Sequence, residues 1–247
     1  MPYWLNKLLP NCKVNNLITR SLTGIVFVLL IVSSMLINPW IFALLFFFIT
    51  ILTQLEFYQL MREGGTKSST YIGLAAGIFL YGTLAASALN IAGIAGNNIL
   101  LLNFIPLVLI FIFALYSRSS NSFADIGITL TGILYIALPF GLLNYLIAPA
   151  LLPDGVNHGV LLGFFLILWV NDTAAYLVGS AIGKHKLFKR ISPKKSWEGS
   201  IGGAFFALLT SWLLSNYYTP ILLWQWLAIA IIIIIFGTMG DLVESML

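Results

Sequence analysis

The sequence predicts an all-α, polytopic integral membrane protein of about eight transmembrane helices, forming a single transmembrane domain over residues 1–247. Three observations carry that prediction. Of the residues, 60% are apolar and only 8% charged, where a soluble domain carries roughly a quarter charged residues. Apolar runs such as Ile231 to Phe236 recur along the chain, and every Lys and Arg falls in the N-terminal segment or in alternate connections. A spanning helix uses about 20 apolar residues, so eight of them leave short connections and no room for a separate soluble unit.

In chain order, apolar runs between polar or Gly/Pro breaks predict spans at 21–37, 40–60, 71–95, 99–116, 124–147, 159–181, 201–217 and 221–239. The first follows the polar stretch Asn11 to Arg20 with no small-residue cleavage site at the usual distance, so it reads as a retained helix and not as a removed signal peptide. The second carries Gln54 and Glu56 near its end, and the third is rich in Gly and Ala, which let helices approach closely in lipid. The N-terminal helices fill residues 1–150, and residues 159–247 carry the chemistry-bearing groups.

Cytoplasmic connections retain Lys and Arg during insertion. Lys7, Lys13 and Arg20 precede the first span, Arg62 and Lys67 follow the second, Arg118 follows the fourth, and Lys184, Lys186, Lys189, Arg190, Lys194 and Lys195 follow the sixth. The four alternate connections hold none. Both termini are therefore expected in the cytoplasm, and the net charge of +4 gathers on one face, which suits anionic headgroups and anionic cytoplasmic ligands. Cys12 is the only cysteine, which excludes a disulfide scaffold.

Three features lie on or near that face. In the loop Lys184 to Gly199, six of the twelve cations fall within twelve residues and no acid appears before Glu198. Taken alone, such a loop is a topogenic segment touching anionic lipid. Ser192-Pro193, however, predicts a helix start, with Ser192 as N-cap and Pro193 as the first helical residue. Lys194 and Lys195 would then stand in the first turn, where cations oppose the helix dipole and a phosphate ligand would compensate. Gly199, Gly202 and Gly203 open the seventh span with a backbone that a ligand or another helix can approach.

The second feature is Asn171-Asp172-Thr173 inside the sixth span, where an acid is expensive and by default functional. A buried Asp serving assembly alone is the plainer alternative. Ala175, Gly179 and Gly183 form a small-residue stripe suited to close packing. The third feature is Gly240-Asp241-Leu242-Val243-Glu244-Ser245 at the end of the eighth span. If the helix continues, Asp241 and Glu244 face one way and could hold a hard cation such as Mg2+, although two acids ending a helix are otherwise ordinary. Lysines for polyphosphate, carboxylates for Mg2+ and helices for a lipid together suit phosphoryl or nucleotidyl transfer. That chemistry needs no covalent nucleophile, and none is evident; His158 and His185 are given no role.

Asn171-Asp172-x-x-Ala175-Tyr176-x-x-Gly179, Gly183-Lys184, Ser192-Pro193-Lys194-Lys195-Ser196-Trp197-Glu198-Gly199 and Gly240-Asp241-Leu242-x-Glu244-Ser245 resemble the phosphatidate cytidylyltransferase (CDP-diacylglycerol synthase) family from about residue 160 onward. The resemblance implies an enzyme of the inner, cytoplasmic membrane that joins CTP to phosphatidate, releasing pyrophosphate and forming CDP-diacylglycerol. It also implies a Mg2+ requirement and a homodimer; nucleic acid is not an expected partner. By the same resemblance Asp241 is a metal or catalytic carboxylate, and Ser192, Lys194 and Lys195 lie near nucleotide phosphates. Glu198 and Asp172 would belong to the same pocket. Family members continue past this point with a Lys-Arg pair, a Lys-Asp pair and a signature Pro-Gly-His-Gly-Gly followed by Asp-Arg-x-Asp. This sequence stops at Leu247, and a truncated chain is the expectation. The alternatives are a CTP-dependent polyprenol or phytol kinase and, from another class, a transporter or non-catalytic scaffold.

Overall fold

The computed structural model describes residues 16–65, 70–90, 97–117, 121–147, 156–188, 190–218 and 220–246, without the side chains of 16–21, 97, 156 and 157. Lys7, Cys12, Lys13, Lys67, Arg118 and Lys189 lie outside the described residues, as do the last residues of the predicted span 71–95. The chain runs through α1 (Asn16–Ile37), α2 (Pro39–Glu63), α3 (Thr70–Ala88), α4 (Asn97–Leu101), α5 (Phe104–Tyr116), α6 (Ser122–Gly132), a π-helical turn (Ile133–Ala137) and α7 (Leu138–Ile147). It continues through α8 (Val156–Ile182), an antiparallel ribbon of β1 (Lys186–Phe188) and β2 (Ser192–Ser196), α9 (Trp197–Tyr217) and α10 (Leu223–Glu244).

The helical segments follow the eight predicted spans in order, with α4–α5 filling one span and α6, the π turn and α7 another. Among the described residues, six stretches are long and apolar enough to cross a membrane: Pro39–Glu63, Thr70–Ala88, Asn98–Tyr116, Ser122–Ile147, His158–Ile182 and Leu223–Glu244. Leu22–Ile37 is shorter. Trp197–Tyr217 has the length but falls short in apolarity. Its polar groups are absorbed within the helix: Thr210 Oγ1 donates to Phe206 O at 2.8 Å, Ser211 Oγ to Ala207 O at 3.0 Å and Ser215 Oγ to Trp212 O at 2.8 Å. Such back-bonding satisfies these hydroxyl donors within the helix, as an apolar medium requires.

Local chemistry sets the helix ends. Asn38 separates α1 from α2 and caps the latter, its side-chain oxygen accepting from Trp40 N at 2.8 Å, with Pro39 in the first turn. Gln225 Oε1 accepts from Leu222 N at 2.9 Å at the start of α10. One core cluster joins Ile31 and Met35 of α1, Phe42 and Phe46 of α2, Tyr81 of α3 and Leu161 and Phe165 of α8. Tyr81 is buried there because its Oη finds an acceptor, Ala43 O, at 2.6 Å. A second cluster packs Trp226, Ala230 and Ile233 of α10 against Ile167 of α8 and Ala207 of α9.

The tightest seam lies between α8 and α9. A Cβ at Gly199 would stand 2.7 Å from Ala175 O and 3.0 Å from Gly179 Cα, and one at Gly203 would stand 2.8 Å from Asn171 O. The backbones touch through the small-residue stripe read from the sequence, and the glycines of α9 admit a helix. This seam fixes how the ribbon joining α8 to α9 sits against both.

The ribbon corrects one expectation. Ser192 is not an N-cap and Pro193 does not open a helix: Ser192–Ser196 is a strand, paired Phe188↔Ser192 and Lys186↔Ser196 with an irregular register between. The helix begins four residues later at Trp197, where Ser196 is the N-cap and its Oγ accepts from Gly199 N at 3.2 Å. A helix from Pro193 would have set Lys194 and Lys195 against the positive end of the dipole; the observed start puts Glu198 in the first turn, where an acid is favourable. The dipole cost that suggested a phosphate ligand therefore does not exist.

Candidate functional site

Lys195 lies near the end of β2 and Asp241 in the last turn of α10, and the two side chains meet in an ion pair between Lys195 Nζ and Asp241 Oδ2. Their side chains are 26% and 53% exposed respectively, so the pair sits at a wet boundary where its net stabilisation is modest. Asp172 of α8 is within electrostatic range of both partners. Its Oδ1 accepts from the neighbouring Asn171 Nδ2 at 3.2 Å, and Asn171 is buried against the α8–α9 seam. Three elements far apart in sequence thus bring one cation and two acids to one place: α8, the ribbon and α10. Glu244 lies one turn beyond Asp241, and both acids are in electrostatic range of the Tyr135 phenol.

Glu198 does not join that group by hydrogen bonding. Its carboxylate turns to the ribbon, accepting from His185 N at 3.1 Å and 3.2 Å and standing 2.6 Å from His185 Nδ1. Its own backbone amide first, and then the His185 ring, hold its carboxyl down to about 2. Trp197 N donates to His185 O at 2.9 Å, so His185, given no role from the sequence, ties the start of α9 to the strand before it. Ser192 is half-buried in its pairing with Phe188, and Lys194 is exposed. Of the neighbouring lysines, Lys195 makes the contact with α10.

Two hollows flank these groups. A cleft of about 610 Å³ is lined by Lys184, His185, Lys186, Trp197, Glu198 and Ile201, mixing cations with apolar walls. An apolar groove of about 540 Å³ runs along α8, lined among others by Trp169, Val170, Thr173, Leu177 and Phe206. Thr173, midway along the groove, directly follows Asp172 in sequence.

Tyr135 is not marked by any sequence motif. It lies in the π turn of the fifth helical pass, and its Oη donates to Gly240 O at 3.1 Å, immediately before Asp241. It comes to the site through the reach of its phenol across to α10.

Residues 18–247 match the model of the cytidylyltransferase family. The chain is 30% identical over 228 residues to proteins named phosphatidate cytidylyltransferase from Staphylococcus saprophyticus and Staphylococcus haemolyticus, covering 92% of this chain and 83% of each relative. A Staphylococcus aureus protein of the same name is 36% identical over 135 residues, covering 54% of this chain and 49% of that protein.

Proposed function

Because the chain belongs to the cytidylyltransferase family, we propose that it is a membrane nucleotidyltransferase of phospholipid biosynthesis that joins CTP to phosphatidate, giving CDP-diacylglycerol and pyrophosphate. The observation that carries this reading is the meeting of Lys195 and Asp241, with Asp172 in range, at one place among α8, the ribbon and α10. A phosphate oxygen of the lipid attacks the α-phosphorus of CTP, a new P–O bond forms, and the bond to the β-phosphate breaks as pyrophosphate leaves. The attacking group is already ionised, so no strong base is needed. The task left to the protein is to neutralise and align anions that repel one another.

Lys195 supplies charge to the triphosphate, and Ser192 and Lys194 line its approach along the ribbon. Glu198 orients the ribbon through His185 and acts on the nucleotide through that scaffold. The apolar groove beside Thr173 accepts the acyl chains while the lipid phosphate lies near Asp172 and Lys195.

Mg2+ is the expected cofactor, and the residues fit it in one particular way. Asp241, Glu244 and Asp172 offer the hard oxygen donors that Mg2+ takes. Among the described residues no three acids, histidines or cysteines cluster as a metal cage; Mg2+ is commonly held by one or two carboxylates with water and substrate phosphate. When bound, Mg2+ screens the phosphate charge. Asp241 is the carboxylate that would hold it, with Glu244 or Asp172 as the second donor.

The multi-pass chain is placed with both termini in the cytoplasm, on the distribution of Lys and Arg, and it acts as a homodimer in the inner membrane. CTP labelled in the cytosine ring tests the reaction: with phosphatidate present, label enters the organic phase. Transfer of a γ-phosphate label to the organic phase, with the ring label staying in water, is the kinase result and overturns the proposal.

A further inference from the structure

The fifth helical pass is widened at Ile133–Ala137, where Leu138 N reaches back five residues to Ile133 O. A π turn accommodates an extra residue without an extra hydrogen bond and leaves nearby carbonyls short of helical donors. Here two carbonyls beside the turn also take side-chain donors from α2, Thr129 O in addition to the Ile133 N–H it already accepts. Gln54 Nε2 donates to Gly132 O at 3.2 Å, and Tyr58 Oη donates to Thr129 O at 2.9 Å. Both α2 side chains are fully buried. Gly132 leaves the room that the phenol occupies: a Cβ there would stand 2.5 Å from Tyr58 Oη.

Inserting one residue into a helix of 3.6 residues per turn rotates the downstream side chains by about 100°. Tyr135, in the middle of the turn, reaches across to α10, where its Oη donates to Gly240 O at 3.1 Å. The next residue is Asp241, whose own carbonyl accepts from Ser245 Oγ at 2.7 Å and whose carboxylate meets Lys195. The peptide carrying Asp241 is thus held on one side by a phenol from the fifth helical pass, 105 residues before Gly240 in the chain.

We propose that Tyr135 is a positioning residue for Asp241, and that Gln54 and Tyr58 of α2 set its direction by holding the π turn open. Tyr135 acts through the Gly240 peptide, fixing the angle at which the Asp241 carboxylate leaves α10. The proposal rests on the reading of Asp241 as the functional carboxylate. It extends the site into helices that the sequence motifs leave out.

Tyr135→Phe keeps the ring and removes the bond. Turnover is expected to fall about tenfold or more, since small misplacements of a reacting group are costly, while KM for CTP and for the lipid stays within about twofold. In the substrate-free protein, hydrogen exchange at the amides of residues 240–245 is expected to quicken, with an unchanged thermal midpoint. Gln54→Leu is expected to produce the same pair of signatures, because Gly132 O loses the side-chain donor that ties the turn to α2. Wild-type turnover together with wild-type exchange in Tyr135→Phe overturns the proposal, and a Gln54→Leu protein that loses only thermal stability overturns the α2 part of it. Asp241→Asn, prepared alongside, separates the two levels. If it is inactive while Tyr135→Phe is unchanged, only the positioning role fails; if it keeps turnover, the reading of Asp241 fails and the proposal with it.

Discussion

Gly199→Ala probes the seam on which the ribbon depends. The added methyl carbon would lie 2.7 Å from Ala175 O, 3.0 Å from Gly179 Cα and 3.1 Å from Ser196 Oγ. Two of those three neighbours are backbone, so side-chain rotation cannot relieve the overlap. Reaching ordinary van der Waals contact requires α8 and α9 to part by about 0.7 Å. Overpacking of this kind costs about 1–3 kcal/mol. Ser196, the N-cap of α9, is among the atoms pushed, and Lys195 precedes it in the strand, so the displacement carries the lysine with it. A misplacement near 1 Å can cost about 10²-fold in rate, and the expectation here is a loss of tenfold or more. Gly237 of α10 is the control, because a Cβ there meets nothing within 4 Å; Gly237→Ala gains about 1 kcal/mol of helix propensity at most. Both proteins are purified in detergent and followed by thermal unfolding and by transfer of cytosine-ring label into lipid. If Gly199→Ala matches the Gly237→Ala control in both assays, the backbones do not touch there and the account of the seam is wrong.

Four further outcomes are expected. Lys195→Ala weakens CTP binding and flattens its dependence on ionic strength; an unchanged salt dependence would show that the lysine does not face phosphate. Glu198 has a depressed folded-state pKa of about 2 against an ordinary 4.5, so its contribution to the ribbon is present above pH 4.5 and drains away as pH falls toward 2. Hydrogen exchange at residues 185–198 should accordingly distinguish wild type from Glu198→Gln at pH 6 and not at pH 2. Tyr81→Phe removes the 2.6 Å bond to Ala43 O and should cost about 1 kcal/mol, read as a lowered thermal midpoint. Cys12, the only cysteine, should react with a membrane-impermeant maleimide in inside-out vesicles and stay unlabelled in right-side-out ones; the reverse pattern would invert the topology.

The helical passes are legible in the sequence because hydropathy over twenty residues reports the solvent of a segment, and neighbours hardly alter it. Lys195, Asp241 and Asp172 are legible too, since charge near lipid is conspicuous and few positions carry it. The start of α9 is ambiguous for a local reason: Ser192-Pro193 and Ser196-Trp197-Glu198 both carry helix-start chemistry, and only pairing with Lys186–Phe188 decides between them. Tyr135 and the π turn leave no trace in periodicity. The residues that hold that turn, Gln54 and Tyr58, bond across 78 and 71 positions, a separation no local window sees. His185 reads as one ring among lysines, because its partner stands thirteen residues on, across the ribbon.

The Lys195–Asp241 pair has a consequence for the order in which charged ligands can engage it. As long as the two are joined, each charge is answered by the other at the half-solvated junction of the ribbon and α10. Any anion that captures the ammonium strips the carboxylate of its counter-charge in the same act. On the proposed reading, the carboxylate released in this way is the one an incoming cation would meet, so nucleotide and metal are expected to engage the pair together.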